Sequence, residues 1–332
     1  MIMIINLFWE LMRIYKKRSF WIILFFLISI FSLTIGVEDF SFINLLKGQS
    51  DDIQILLLSR IPRLMSIIVT ASILSINGLV MQTMANNKFV SPSTTGVMDW
   101  CKLGVLVVLL FFHDAGSLLK ISVALIFGMF GSFFFMKLIR IIKTRDNLLV
   151  PLIGIMLGGV VGSISSFFAF KFDLIQNISS WLQGNFSLIS KGNYEILYLG
   201  LPLLILVYIY ANLFTISGLG EKVTTSLGLN QNKILSLGMM IISATTAIVV
   251  VMIGSIPFIG LIVPNIVSML KGDNIKSTIF DTALVGSYFL LLCDMLGRVI
   301  YMPYEVPISV VVGVLGSFIF LFILLRRKNY AG

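Results

Sequence analysis

The stretch Arg60-Ile-Pro-Arg63-Leu-Met-Ser-Ile-Ile-Val-Thr-Ala-Ser-Ile-Leu-Ser-Ile-Asn77-Gly78-Leu-Val-Met-Gln82 decides the fold. No charge interrupts it between Leu64 and Met81. About 20 apolar helical residues cross the hydrocarbon core of a bilayer. The run therefore predicts a membrane span, opened by two arginines and closed by a polar turn, Asn86 to Gly96. Fixed cations at the mouth of a span are costly unless they serve a purpose. Guanidinium forks grip carboxylates well, so the pair predicts a docking surface at one membrane face.

The rest of the chain has the same character. Of its 332 residues, 58% are hydrophobic and 12% charged, and the mean hydropathy is +1.03. Ten spans are expected: Phe20–Val37, Ile61–Thr83, Thr95–Phe112, Leu118–Arg140, Leu148–Phe170, Tyr194–Phe214, Lys233–Ile253, Ile256–Leu270, Thr278–Gly297 and Glu305–Leu325. All should be helical, because lipid offers no partner to unpaired backbone groups. The eighth is short and interrupted by Pro257, Gly260 and Pro264. The fold class is thus an all-α polytopic membrane protein, one transmembrane domain over residues 1–332. Ten helices with a broken one are compatible with two related halves, although no short repeat is visible.

The net charge of +9 is not a nucleic-acid signal. Alternating loops, counted with the N-terminus inside, put sixteen cations and four acids on the inner side. The remaining positions carry eight cations and eleven acids. This bias places both termini in the cytoplasm. The N-terminal apolar run is too long for a signal peptide and lacks a small-residue cleavage site, so it reads as a retained helix. The location expected is a cell membrane, with lipid as the surrounding solvent.

Several chemistries find no support. There is no Gly-x-x-x-x-Gly-Lys-Ser/Thr loop for ATP and no nucleophile elbow. His113 is the lone histidine, and Cys101 and Cys293 sit in separate apolar spans, where small packing residues are the simplest reading. No metal site or cofactor is expected. Asp99 and Lys102 are three apart, and Asp294 and Arg298 four apart, so each pair can neutralise itself on a helix face; a proton relay is the sharper alternative. Gly154, Gly158 and Gly162 form a stripe at spacing four. Such a stripe permits close helix approach, within the chain, at a subunit interface or along a solute path. The inner segment at about 216–232 contains Gly218, Gly220, Glu221, Leu227 and Gly228. Glu221 suits a helix N-terminus and Gly228 a C-cap, which predicts a short helix between glycine stops.

Five stretches, in order, resemble the FecCD-type permeases of ATP-binding-cassette importers. They are Arg60-Ile-Pro-Arg63 through Asn77-Gly78, Gln82, Ser91-Pro92 and Gly96; Trp181-Leu-Gln-Gly184; Gly218-Leu-Gly-Glu221 with Leu227-Gly228; Gly254-Ser-Ile-Pro-Phe-Ile-Gly-Leu-Ile-Val-Pro264; and Asp294, Arg298, Glu305-Val-Pro307, Gly313 and Gly316. The resemblance implies a non-enzymatic transport subunit with three partners: a cytoplasmic ATPase, an extracytoplasmic siderophore-binding protein and a second permease, identical or paralogous. It implies ATPase coupling at Gly218, Gly220, Glu221, Leu227 and Gly228, and binding-protein docking at Arg60, Arg63 and Arg298. The cargo it implies is a ferric siderophore, with haem or cobalamin as the alternative. Asn87-Lys-Phe-Val-Ser-Pro with Gly96-Val-Met-Asp-Trp resembles a branch serving catecholate siderophores such as petrobactin. An ion-coupled secondary transporter is the reading from another class; an intramembrane enzyme would need a catalytic pair. The chain departs from the family pattern at Asn265 and Ser268, usually His and Arg, and at Lys88-Phe89-Val90, usually Pro-Leu-Ala.

Overall fold

The computed structural model describes residues 18–36, 50–112, 114–142, 149–176, 178 and 183–328. Both chain ends, His113, and Trp181 and Leu182 of the second motif lie outside the described residues. The helices are α1 (Arg18–Thr34), α2 (Ser50–Ile55), α3 (Ile61–Met84), α4 (Val97–Phe111), α5 (Ser117–Ile142), α6 (Leu149–Lys171), α7 (Gly200–Ile209), α8 (Ala211–Ser217), α9 (Glu221–Ser226), α10 (Gln231–Met252), α11 (Ile259–Lys271), α12 (Ile275–Val299) and α13 (Ile308–Lys328). A widened π turn, Leu56–Arg60, joins α2 to α3, and a 3₁₀ stretch, Tyr194–Leu199, leads into α7.

Each of the ten expected stretches contains helix. Among the described residues, five helices are long and apolar enough to cross a bilayer alone, or six if the bent α7–α8 pair is counted as one. That pair departs from the single helix expected over Tyr194–Phe214: it bends by 60° at Tyr210, where neither Pro nor Gly stands. The α4 helix has 15 residues and so rises only about 22 Å. It starts beside α6, after a buried turn that enters the bundle. That turn meets its backbone needs internally: Thr94 Oγ1 accepts from Ser91 N at 2.8 Å and donates to Phe89 O at 3.0 Å. Irregular backbone at membrane depth is tolerated when it is buried in protein.

Burial identifies the centre. In the continuous stretch Ile53–Met84, which ends in α3, 83% of the most apolar part is buried; in α6 the figure is 22%. α3 packs against α10, α11 and α12, while α4 packs against α5 and α6. The sequence explains the difference. Ser66, Ser75, Asn77, Gly78 and Gln82 let neighbours approach α3 closely, whereas α6 carries Ile155, Met156, Val160, Phe167 and Phe170 outward.

Candidate functional site

The first cluster lies at the Arg60 end of α3. α1 ends there, and the last carbonyls of a helix have no partners of their own. Arg60 Nη1 donates to Leu33 O at 2.6 Å, and Arg298 Nη1 to Ser32 O at 2.9 Å. Both cations also complement the negative end of the helix dipole. Arg63 is shared between two carboxylates. Its Nε and Nη2 donate to Asp294 Oδ1 at 3.2 and 2.8 Å, and its Nη1 meets both Glu305 oxygens at 2.9 Å. Ser187 Oγ also donates to Glu305. Arg298 Nη2 stands 2.7 Å from Asp294 Oδ2, an ion pair one helical turn apart. Arg60, Arg63 and Arg298 are therefore neighbours, lining one cleft of about 200 Å³ with Glu305 and Ser187. The expected Asp294–Arg298 pair is present. Arg63's double engagement was not foreseen, because its partners lie 231 and 242 residues away.

The second cluster crosses the centre. Pro264 lies inside α11 and has no N–H, so the carbonyl four residues earlier, on Gly260, loses its helical donor. Gln82 Nε2 fills that gap from α3, 3.3 Å from Gly260 O and 3.1 Å from Leu261 O. Asn77 Nδ2 donates to Thr246 Oγ1 at 3.2 Å and Asn77 Oδ1 accepts from Thr245 at 3.0 Å, which ties α3 to α10. A Cβ on Gly78 would lie 1.8 Å from Gly260 O, so only glycine fits. The second and fourth motifs also meet: Gln183 bridges Ser255, and Asn185 N donates to Ile253 O at 3.1 Å.

The glycine stripe divides. A Cβ on Gly154 would lie 2.2 Å from the backbone oxygen of Thr94, and one on Gly158 2.6 Å from Asp99 Oδ2. These two let the turn before α4 rest on α6. Gly162 meets nothing within 4 Å and instead lines a cleft of about 420 Å³ with Asp99, Lys102, Ser165, Ser166 and Gln183. Lys102 Nζ is 3.1 Å from Asp99 Oδ1.

The segment after α8 forms the short helix expected. Glu221 opens α9, and Gly220, at φ +101°, precedes it. Gly228, at φ +74°, follows its end; Gly228 N donates to Thr225 O and Leu229 N to Thr224 O, at 2.9 and 3.1 Å. These bonds satisfy the last carbonyls, as a left-handed glycine after a helix does. Gly218 abuts the other end of α3, where a Cβ would lie 2.4 Å from Thr83 O.

The model of the FecCD transport family matches residues 21–326, nearly the whole chain. The chain belongs to the FecCD transport family. The petrobactin import system permease YclN of Bacillus subtilis is 49% identical over 315 residues, which are 95% of this chain and 100% of that one. The petrobactin permease FatD of Bacillus anthracis is 39% identical over 96% of this chain and 95% of its own. The ferric-anguibactin permease FatD of Vibrio anguillarum is 37% identical over 81% and 85%. Among solved structures, a chain of an ABC transporter of metal-chelate type, in an inward-facing conformation, superposes with a TM-score of 0.77 at 23% identity, over 92% of this chain and 97% of that one. That likeness establishes the shared fold.

Seen as a FecCD chain, its departures from the family pattern converge on one place. Asn265 Nδ2 donates to Lys88 O at 2.7 Å, and Lys88 Nζ donates to Ser268 Oγ at 2.8 Å and pairs with Asp273. Lys88 thus brings a cation to the side chain at position 268. Each departure is legible alone, but their coupling spans about 180 residues and needs the fold.

Proposed function

We propose that this chain is the membrane-spanning subunit of an ATP-binding-cassette importer carrying a ferric siderophore of the petrobactin class across a bacterial cytoplasmic membrane. The observation that carries this reading is 49% identity along the full length of a petrobactin permease. The chain supplies a gated path and no covalent chemistry, and a separate ATPase supplies the work. It has ten spans and cytoplasmic termini, consistent with the charge bias of its loops. A second permease subunit, identical or paralogous, covers the exposed face of α6.

The partners have distinct surfaces. Leu219, Val223 and Leu227 recur at spacing four along α9 and its flanks and are exposed, which suits insertion into a groove of the ATPase. Arg63, with buried Arg60 and Arg298 behind it, lines a cleft at the opposite end of α3, which suits an acidic side chain of the binding protein. There Arg63 exchanges Glu305, 19% exposed, for a carboxylate of the partner. Gly162 belongs to the path, and Gly154 and Gly158 to the packing that shapes it.

Iron-55 uptake by a strain lacking this chain, supplied with several siderophores, tests the reading. Uptake of ferric petrobactin should be lost and should return with the chain. Restoring Glu221→Arg in its place should give normal membrane levels without uptake. Unchanged petrobactin uptake in the deletion strain, with loss of haem or cobalamin uptake, would refute the cargo assignment.

A further inference from the structure

Asp99 and Lys102 are the charged residues of α4, and Asp99 lies against Gly158, near the midpoint of α6. Charged side chains at membrane depth are costly and mark function by default. A pair present only to cancel itself would be expected to lie away from any cavity. This pair is instead about a quarter exposed, Lys102 25% and Asp99 28%, and forms one wall of the 420 Å³ cleft. Gln183, Ser165 and Ser166 supply further polar groups, and Ile175 and Ile178 an apolar flank. The volume falls within the range of small-molecule sites, which join apolar walls to a few placed polar groups.

We propose that Lys102 is a cargo contact in the translocation path, with Asp99 as its releasable counter-ion. This assignment rests on the importer reading above. The ligand chemistry that fits is an anionic, oxygen-rich iron chelate, whose donor oxygens carry more negative charge than the metal cancels. The Lys102 ammonium meets that surplus, and the Ser166 hydroxyl and Gln183 amide donate to peripheral oxygens. Asp99 competes with the cargo for the same ammonium. Passage needs a site favourable enough to enter and weak enough to leave, and the competing carboxylate keeps binding on the weak side.

Uptake of iron-55 petrobactin by intact cells, carrying the whole importer with variants of this chain, tests the proposal. Lys102→Gln should lower the initial rate about tenfold, as expected for loss of one charge-assisted contact, while binding-protein-stimulated ATP hydrolysis in membranes stays at the wild-type level. Lys102→Arg should keep most uptake. The single variant leaves Asp99 unpaired and can lower the amount of protein. The double variant D99N/K102Q leaves no stranded charge and therefore decides. Uptake that stays low in the double variant, at wild-type membrane levels, supports a cargo contact. Uptake restored to the wild-type rate overturns it and leaves only self-neutralisation. A wild-type chain that carries no ferric siderophore overturns the importer reading and this assignment with it.

Discussion

Replacing Arg63 by Met tests whether the arginine cluster holds the bundle, docks a partner, or does both. Arg63 makes two hydrogen bonds to Asp294 and meets both oxygens of Glu305. Its loss leaves Asp294, 2% exposed, with Arg298 alone at 2.7 Å, and strands Glu305 with Ser187. Breaking a buried pair by removing one partner costs about 3–5 kcal/mol. Here Arg298 still balances Asp294, and water reaches Glu305. The expected cost is therefore lower, about 2–3 kcal/mol, or a fall of about 3–4 °C in unfolding temperature for a chain of this length. Thermal unfolding in detergent, followed by tryptophan fluorescence, measures it. Arg63→Met with Glu305→Gln removes one charge of each sign and should recover more than half of the loss. The double variant also separates the two roles. If Arg63 docks the binding protein, association stays weak after stability returns; if its role is internal, association returns with it. An Arg63→Met chain unfolding within about 1 °C of wild type, well short of that expected fall, would refute the structural role.

Gln82→Leu should cost about 1–2 kcal/mol, because Gly260 O loses its side-chain donor in the buried interior while Leu261 O keeps Asn265 Nδ2. In a Pro264→Ala background Gly260 O regains a helical donor, so the same change should cost less than half as much; equal costs would refute the pairing. Alanine at the three stripe glycines should reduce assembly in the order Gly154, Gly158, Gly162. The first Cβ meets backbone at 2.2 Å, the second a movable carboxylate at 2.6 Å, and the third open space. Assembly yields in the reverse order, measured by size exclusion, would count against that geometry.

Much of the fold was legible, because a long uncharged run has few other places to go. α3, α5, α6, α10 and α12 were marked by length and composition alone. α9 was marked by two glycines that both adopt positive φ, +101° and +74°. Three features were not legible. The bend at Tyr210 carries no Pro or Gly signal. The burial of the turn before α4 is permitted by its Ser and Thr content but not announced by it. The site's bonds are long-range: an i,i+4 rule finds Asp294 and Arg298, but nothing local joins Arg63 to Glu305 or Gln82 to Gly260. One signal was available for the latter. Pro264 inside a helix announces an orphaned carbonyl, and a buried amide elsewhere on an apolar helix is the natural donor.

The distribution of these polar bonds separates a fixed block from a looser element. α3 is joined by side-chain hydrogen bonds to α10 through Asn77, to α11 through Gln82 and to α12 through Arg63. Each would have to break within the membrane region before the helices could slide, and a bare polar group there costs more than in water. α6 is held differently. Ser163 and Ser165 bond back to their own helix, and Gly154 and Gly158 offer close apposition. Van der Waals apposition between small residues tolerates rocking, because among the described residues Ser163 and Ser165 keep their own-helix partners when the faces shift. A path that opens and closes by moving one bundle against another therefore meets least resistance at α6. The same helix carries the wall of the charged cleft, so motion there would change the width of the cleft while leaving the arginine cluster and the α11 break intact.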